Sequence, residues 1–137
     1  MSKRQKNILM CLSALLLGAV LYIFFRRNTW VSRLFAVIAF APEVAVQQKW
    51  MLMDWIRYYI PDFLWSFSLS CGIQAICLPK RKDILGCSAI ALACGVVWEV
   101  LQWRNVVSGT GDILDVLMYF GGSILSILIN IKERKQT

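Results

Sequence analysis

The sequence predicts an all-α membrane protein: four transmembrane helices, a partly interfacial or re-entrant outer segment, and both termini in the cytoplasm. Three observations lead there. Apolar residues make up 58% of the 137-residue chain and the mean hydropathy is +0.60, against about 45–50% apolar content in ordinary globular domains. Apolar runs of about 18 residues recur, the length that crosses a bilayer as a helix. The 15 Lys and Arg residues outnumber the 8 Asp and Glu and mostly flank those runs, so the net charge of +7 reads as topology rather than as a nucleic-acid surface. No nucleic-acid partner is expected; the bilayer is.

The elements follow in order along one membrane domain, residues 1–137. A basic start, Met1–Asn7, precedes the unbroken apolar run Ile8–Phe25. That run ends in bulky Tyr22, Phe24 and Phe25 without a small-x-small cleavage site, so it is read as a retained first helix. Residues 28–59 hold only the short run Leu34–Ala41 before Pro42 and Glu43. They are expected to lie on or dip into the membrane surface, with Trp50–Tyr59 as an aromatic interfacial piece. Pro61 and Asp62 are expected to open the second helix, about 62–78, where proline is tolerated and an acid complements the dipole. Pro79 and the basic Lys80–Lys82 stop it. A third helix spans about 84–103, and a fourth about 112–131, with Asp112 near its N-cap.

With four helices the basic residues Lys3, Arg4, Lys6, Lys80, Arg81, Lys82, Lys132, Arg134 and Lys135 share one side, nine against the six (Arg26, Arg27, Arg33, Lys49, Arg57, Arg104) on the other. The positive-inside rule places the nine, and both termini, in the cytoplasm. A five-helix alternative, with 31–48 also crossing, gives the same count. The four-helix arrangement is preferred because it puts all six tryptophans on or near the outer side.

Function classes narrow quickly. Without histidine there is no Ser-His-Asp catalysis and no His-ligated zinc. The five cysteines (Cys11, Cys71, Cys77, Cys87, Cys94) fall in apolar segments without a CxxC pair and are read as small hydrophobes. Acid–base chemistry would rest on carboxylates, Lys, Tyr or Cys. The informative residues are the acids in apolar surroundings, since charge at mid-bilayer costs about 2.5–3.5 kcal/mol on the insertion scale. Asp62 starts the second helix, Glu99 and Gln102 end the third, and Asp112 and Asp115 start the fourth. All five polar groups therefore meet at one depth near the outer face.

The stretches Pro61–Ser70 (PDFLWSFSLS), Trp98–Gln102 (WEVLQ) and Gly109–Gly122 (GTGDILDVLMYFGG) resemble the VanZ-like family of small multi-pass bacterial membrane proteins. Its founding member is associated with glycopeptide resistance. The likeness covers about residues 61–122 and matches Asp62, Glu99, Gln102, Asp112 and Asp115. Trp65 stands near where family members often carry a histidine, and Ser108-Gly109-Thr110 where an arginine is common. The resemblance implies a place in the bacterial cytoplasmic (inner) membrane and a role in the cell envelope, linked to antibiotic resistance.

Two sharp readings of the cluster and one bland reading stand side by side. Glu99 and Asp115 are candidate catalytic or central binding groups, with Asp62, Gln102, Asp112, Trp65 and Arg104 binding substrate. Glu99, Asp112, Asp115 and Asp62 offer the oxygen ligands that Mg²⁺ or Ca²⁺ prefers, and such an ion would hold the phosphate of a lipid or lipid-linked ligand. Alternatively, a close carboxylate pair sharing a proton would suit a small proton-coupled transporter, for which four helices are few unless the chain forms a homo-oligomer. In the bland reading the protein is structural or accessory, and the polar groups only cap helices and fix packing, at about 0.6–2 kcal/mol per interhelical bond. Gly121, Gly122, Ser123, Ser126 and the serines of the second helix are expected to make close helix contacts.

Overall fold

The computed structural model describes residues 2–25, 51–77 and 83–134. They form four helices, α1 (Lys3–Phe25), α2 (Met51–Cys77), α3 (Ile84–Trp103) and α4 (Ile113–Arg134). α1, α3 and α4 each hold a stretch long and apolar enough to cross a membrane. The segment 26–50, which contains most of the expected interfacial segment 28–59, and residues 78–82 lie outside the described residues.

α1 begins five residues before the expected 8. A capping box explains the early start: the Gln5 backbone N–H donates to Ser2 Oγ at 3.2 Å, and the Ser2 backbone N–H donates to Gln5 Oε1 at 2.9 Å. These bonds satisfy amides that the helix cannot satisfy itself, so the basic residues are carried on helix.

The largest departure is in α2. It does not start at Pro61; it starts at Met51 and continues through Pro61. The described part of the interfacial piece, 51–59, is therefore the first turns of α2. Proline removes one helical hydrogen bond, but the turns on either side remain helical. Asp62 is consequently a mid-helix residue and not a first-turn acid, so the dipole no longer accounts for it.

α2 is the hub. α1, α3 and α4 all pack on it, α3 and α4 also pack on each other, and among the described residues α1 packs on α2 alone. Being covered explains its composition: a helix shielded from lipid by three others can carry serine and glutamine where a lipid-facing one cannot. Ser66, Ser68, Ser70 and Gln74 are all buried, and they bond across the interfaces. Ser66 Oγ donates to the Tyr119 carbonyl at 2.7 Å and lies 2.9 Å from Ser123 Oγ on α4. Ser68 Oγ donates to the Cys11 carbonyl of α1 at 2.9 Å. Ser70 meets Ser88 of α3 at 2.7 Å. The Gln74 amide nitrogen donates to Ser88 at 2.9 Å and to Ser126 at 3.0 Å.

Small residues set the distances between helices. A Cβ at Gly122 would meet the Phe63 carbonyl oxygen and the Phe67 nitrogen of the α2 backbone, so the expected close contact at Gly122 is made against α2. On α1 the inward face is Asn7, Cys11, Ala14 and Gly18, spaced four, three and four residues apart. Asn7 and Ala14 are buried, and Ala14 joins Phe67 and Cys71 in a small core. Leu9, Leu12, Leu16 and Leu17 on the other faces are exposed, as lipid-facing side chains are. Cys71 and Cys87 are buried free thiols, while Cys77 and Cys94 point outward.

Candidate functional site

The second half of the chain runs as an α3–loop–α4 hairpin packed on α2. At the loop end stand Tyr58, Tyr59 and Asp62 of α2, Trp98, Glu99 and Gln102 of α3, and Asp112, Asp115 and Tyr119 near the start of α4. Together with the loop residues Ser108, Gly109 and Thr110 they line a cavity of about 430 Å³. The five polar residues expected to meet at one depth thus share one cavity.

The loop is held in place from its first residue. Arg104 ends α3, and Asn105 follows with φ 55°. The Asn105 N–H donates to the Gln102 carbonyl at 2.9 Å and the Val106 N–H to the Leu101 carbonyl at 2.9 Å, a Schellman stop with asparagine in the left-handed position usually taken by glycine. Gly109, at φ +146°, passes so close to Gln102 that a Cβ there would lie 2.5 Å from an atom of its side-chain amide. A Cβ at Gly111 would run into the Trp103 ring. Oriented by its neighbours, the Gln102 amide accepts from Trp98 Nε1 at 2.9 Å and donates to the Thr110 carbonyl at 3.3 Å. Gln102 therefore ties α3 to the loop over the cavity.

Among the described residues Glu99 is the most enclosed acid, 2% exposed. It sits near the C-terminal end of its own helix, where the dipole opposes an anion. The hairpin resolves this: Glu99 Oε2 accepts the Asp112 backbone N–H at 3.0 Å, placing the carboxylate at the positive end of α4. Asp112 in turn accepts the Leu114 N–H at 3.0 Å, which is the capping role expected of it. Asp115 occupies the first turn of α4.

Tyr119 connects the rest. Its hydroxyl lies 3.1 Å from Glu99 Oε1 and 3.2 Å from Asp62 Oδ1, so one α4 side chain touches both α3 and α2. Its ring is 4% exposed and packs edge-on against Trp65, 5.9 Å between centroids at 63°. It also lies over Gly95, where a Cβ would come within 2.5 Å of the ring. Asp62, Trp65, Trp98 and Tyr119 line a second cavity of about 390 Å³. The two cavities share Asp62, Trp98 and Tyr119.

Two expectations change. Arg104 is exposed at the α3 cap and lines neither cavity, because the Schellman turn carries it outward. The divalent-ion set of Asp62, Glu99, Asp112 and Asp115 shares a cavity wall, yet among the described residues no three acid or thiol side chains are grouped to hold a metal ion. Both Glu99 oxygens and one of Asp112 are already accepting hydrogen bonds. Seven lining residues were missed as site members: Tyr58, Tyr59, Trp98, Ser108, Gly109, Thr110 and Tyr119. Tyr119 was legible only as a tyrosine one turn after Asp115. Tyr58 and Tyr59 read as interfacial aromatics ahead of Pro61. Partial burial, then the facing Asp112 and Asp115 carboxylates, push the Tyr59 hydroxyl above its ordinary 10.0.

No protein-family model, curated protein or solved structure matches this chain. Its site is therefore read from its own geometry.

Proposed function

We propose that this is a VanZ-like integral membrane protein whose carboxylate cavity faces the extracytoplasmic side of a bacterial cytoplasmic membrane and binds or modifies an envelope lipid or amphiphile. One observation carries the reading: a polar cavity and an aromatic one share the wall formed by Asp62, Trp98 and Tyr119. A membrane amphiphile has a polar head joined to an apolar body, and a confluent pair of cavities of those two characters fits it. The positive-inside count supports the outward orientation. The family resemblance rests on the Pro61–Ser70, Trp98–Gln102 and Gly109–Gly122 stretches, which contribute Asp62, Trp98, Glu99, Gln102, Gly109, Thr110, Asp112, Asp115 and Tyr119 to the cavity. Glu99 and Asp115 are the central groups, supported by Asp62, Gln102 and Asp112.

A second reading has its own observation. Tyr119 bonds to two other helices at once, so the cluster also serves as interhelical glue. In that reading the protein is structural or accessory and the cavity takes no ligand. Quantifying lipids and amphiphiles that stay with the purified protein separates the two. Binding predicts a retained species in wild type that Asp115→Asn loses at unchanged abundance. If Asp115→Asn retains the same species as wild type, or wild type retains none and Asp115→Asn lowers abundance, the binding reading fails.

A further inference from the structure

At the end of the bundle opposite the carboxylate cavity, about three turns along α2 from Asp62, three helices meet at Gln74. The residue is 1% exposed. Its amide nitrogen has the Ser88 hydroxyl of α3 at 2.9 Å, the Ser126 hydroxyl of α4 at 3.0 Å and the Ser70 hydroxyl of its own helix at 3.3 Å. The carbonyl end of the same amide is not served: among the described residues no donor reaches Gln74 Oε1, although the atom is fully buried. A carbonyl left so inside an apolar helix bundle is costly, and native structures nearly always satisfy it.

A proton is left over in the same cluster. Ser70 and Ser88 lie 2.7 Å apart, oxygen to oxygen. One hydroxyl donates in that contact and the other accepts, so the accepting hydroxyl keeps a proton of its own. Both oxygens also face Gln74 Nε2, a donor that cannot take it. Among the described residues no acceptor is in place for that proton. One buried acceptor and one buried donor therefore stand unspent at a single junction.

We propose that this junction binds one water molecule, which accepts the spare proton of the Ser70–Ser88 pair and donates to Gln74 Oε1. Water does both; a metal cation would meet the carbonyl but not accept a proton, and an anion would accept the proton but not donate. Buried waters ordinarily make about three bonds to groups that lack other partners. The supply route is short, since Gln74 lies in the last turn of α2 and Ser88 in the second turn of α3. The bound water joins α2 to α3 at this end, whatever the carboxylate cavity takes at the other.

The test is a crystal structure of the full chain grown from a lipidic mesophase, at a resolution that shows ordered water, with a second data set from crystals soaked in Rb⁺. The expected result is one density peak about 2.5–3.0 Å from Gln74 Oε1 and from Ser70 or Ser88 Oγ, with no anomalous Rb⁺ signal. Gln74→Met, close in length and without the amide, is expected to lose that peak, while Ser126→Ala keeps it. An anomalous peak at the junction overturns water in favour of a monovalent cation. Absence of any peak overturns the site, whether the carbonyl then meets a donor of the protein itself or the amide is turned so that its nitrogen and the serines account for every bond. A peak that survives Gln74→Met unchanged overturns the role of the amide. Should Gln74→Met fail to fold, the wild-type density and its two contacts decide by themselves.

Discussion

α3 contains two glycines that the same substitution should affect in opposite directions. At Gly95 an added methyl would lie 2.5 and 2.6 Å from Tyr119 ring atoms. Real Cβ–carbon contacts are about a full ångström longer, and the ring has little room to retreat: it is 4% exposed and fixed by its hydroxyl to Asp62 and Glu99. Overpacking costs about 1–3 kcal/mol, and this constrained site belongs near the upper end. Alanine returns about 1 kcal/mol through helix propensity, so Gly95→Ala should lose about 2 kcal/mol net. At Gly86 nothing lies within 4 Å of the added methyl, so only propensity remains and Gly86→Ala should gain about 0.5–1 kcal/mol. Reversible unfolding in mixed micelles, followed by tryptophan fluorescence, measures both. Equal effects at the two positions, or a Gly95→Ala protein as stable as wild type, would show that Tyr119 does not pack over Gly95 and that the bridge from Glu99 to Asp62 is misplaced.

Three further outcomes are expected. Tyr119→Phe should lose about 1.5–3 kcal/mol, the range for bonds to charged groups. In a double-mutant cycle with Glu99→Gln the losses should fall short of additivity by more than about 0.5 kcal/mol; strict additivity would argue against direct contact. Asn105→Gly should raise stability by up to about 1 kcal/mol by removing the left-handed penalty, and Asn105→Val should lower it in the same unfolding assay. The Tyr59 hydroxyl, held above 10.0 by burial and by the Asp112 and Asp115 carboxylates, keeps its proton more tightly folded than unfolded. Its contribution to stability is thus fully present at neutral pH and fades as pH rises past the unfolded value of about 10. Tyr59→Phe should flatten this alkaline loss, and an unchanged alkaline profile would refute the assignment.

The gathering of the acids was legible because it follows from counting. Helices of about 20 residues alternate direction across a bilayer, so acids at the start of one, the end of the next and the start of the one after must come level. Asp62, Glu99, Asp112 and Asp115 were found by that rule even though the start of the second helix was misplaced, since moving the start from 62 to 51 does not change the depth of residue 62. The boundaries of α3 were equally readable, because an apolar run between Asp83 and Arg104 has sharp chemical edges. Pro61 misled because proline's preference for a first turn is local, and packing of α2 against three other helices outweighs one missing hydrogen bond.

What the sequence determined by itself, then, is a helical chain apolar enough for a membrane, with Asp62, Glu99, Asp112 and Asp115 brought to one end, since hydrophobic run length and alternation of direction are one-dimensional properties. Only the tertiary structure decided which acid is buried, what holds it and what lies beside it. Glu99 and the Asp112 amide are 13 residues apart, and Asp62 and Tyr119 are 57 apart. Side-chain reach across helix interfaces depends on interaxial distance, and glycines such as Gly95 and Gly122 set that distance by what they lack. A missing methyl acts only through the atoms it allows to approach, and the sequence does not say which atoms those are.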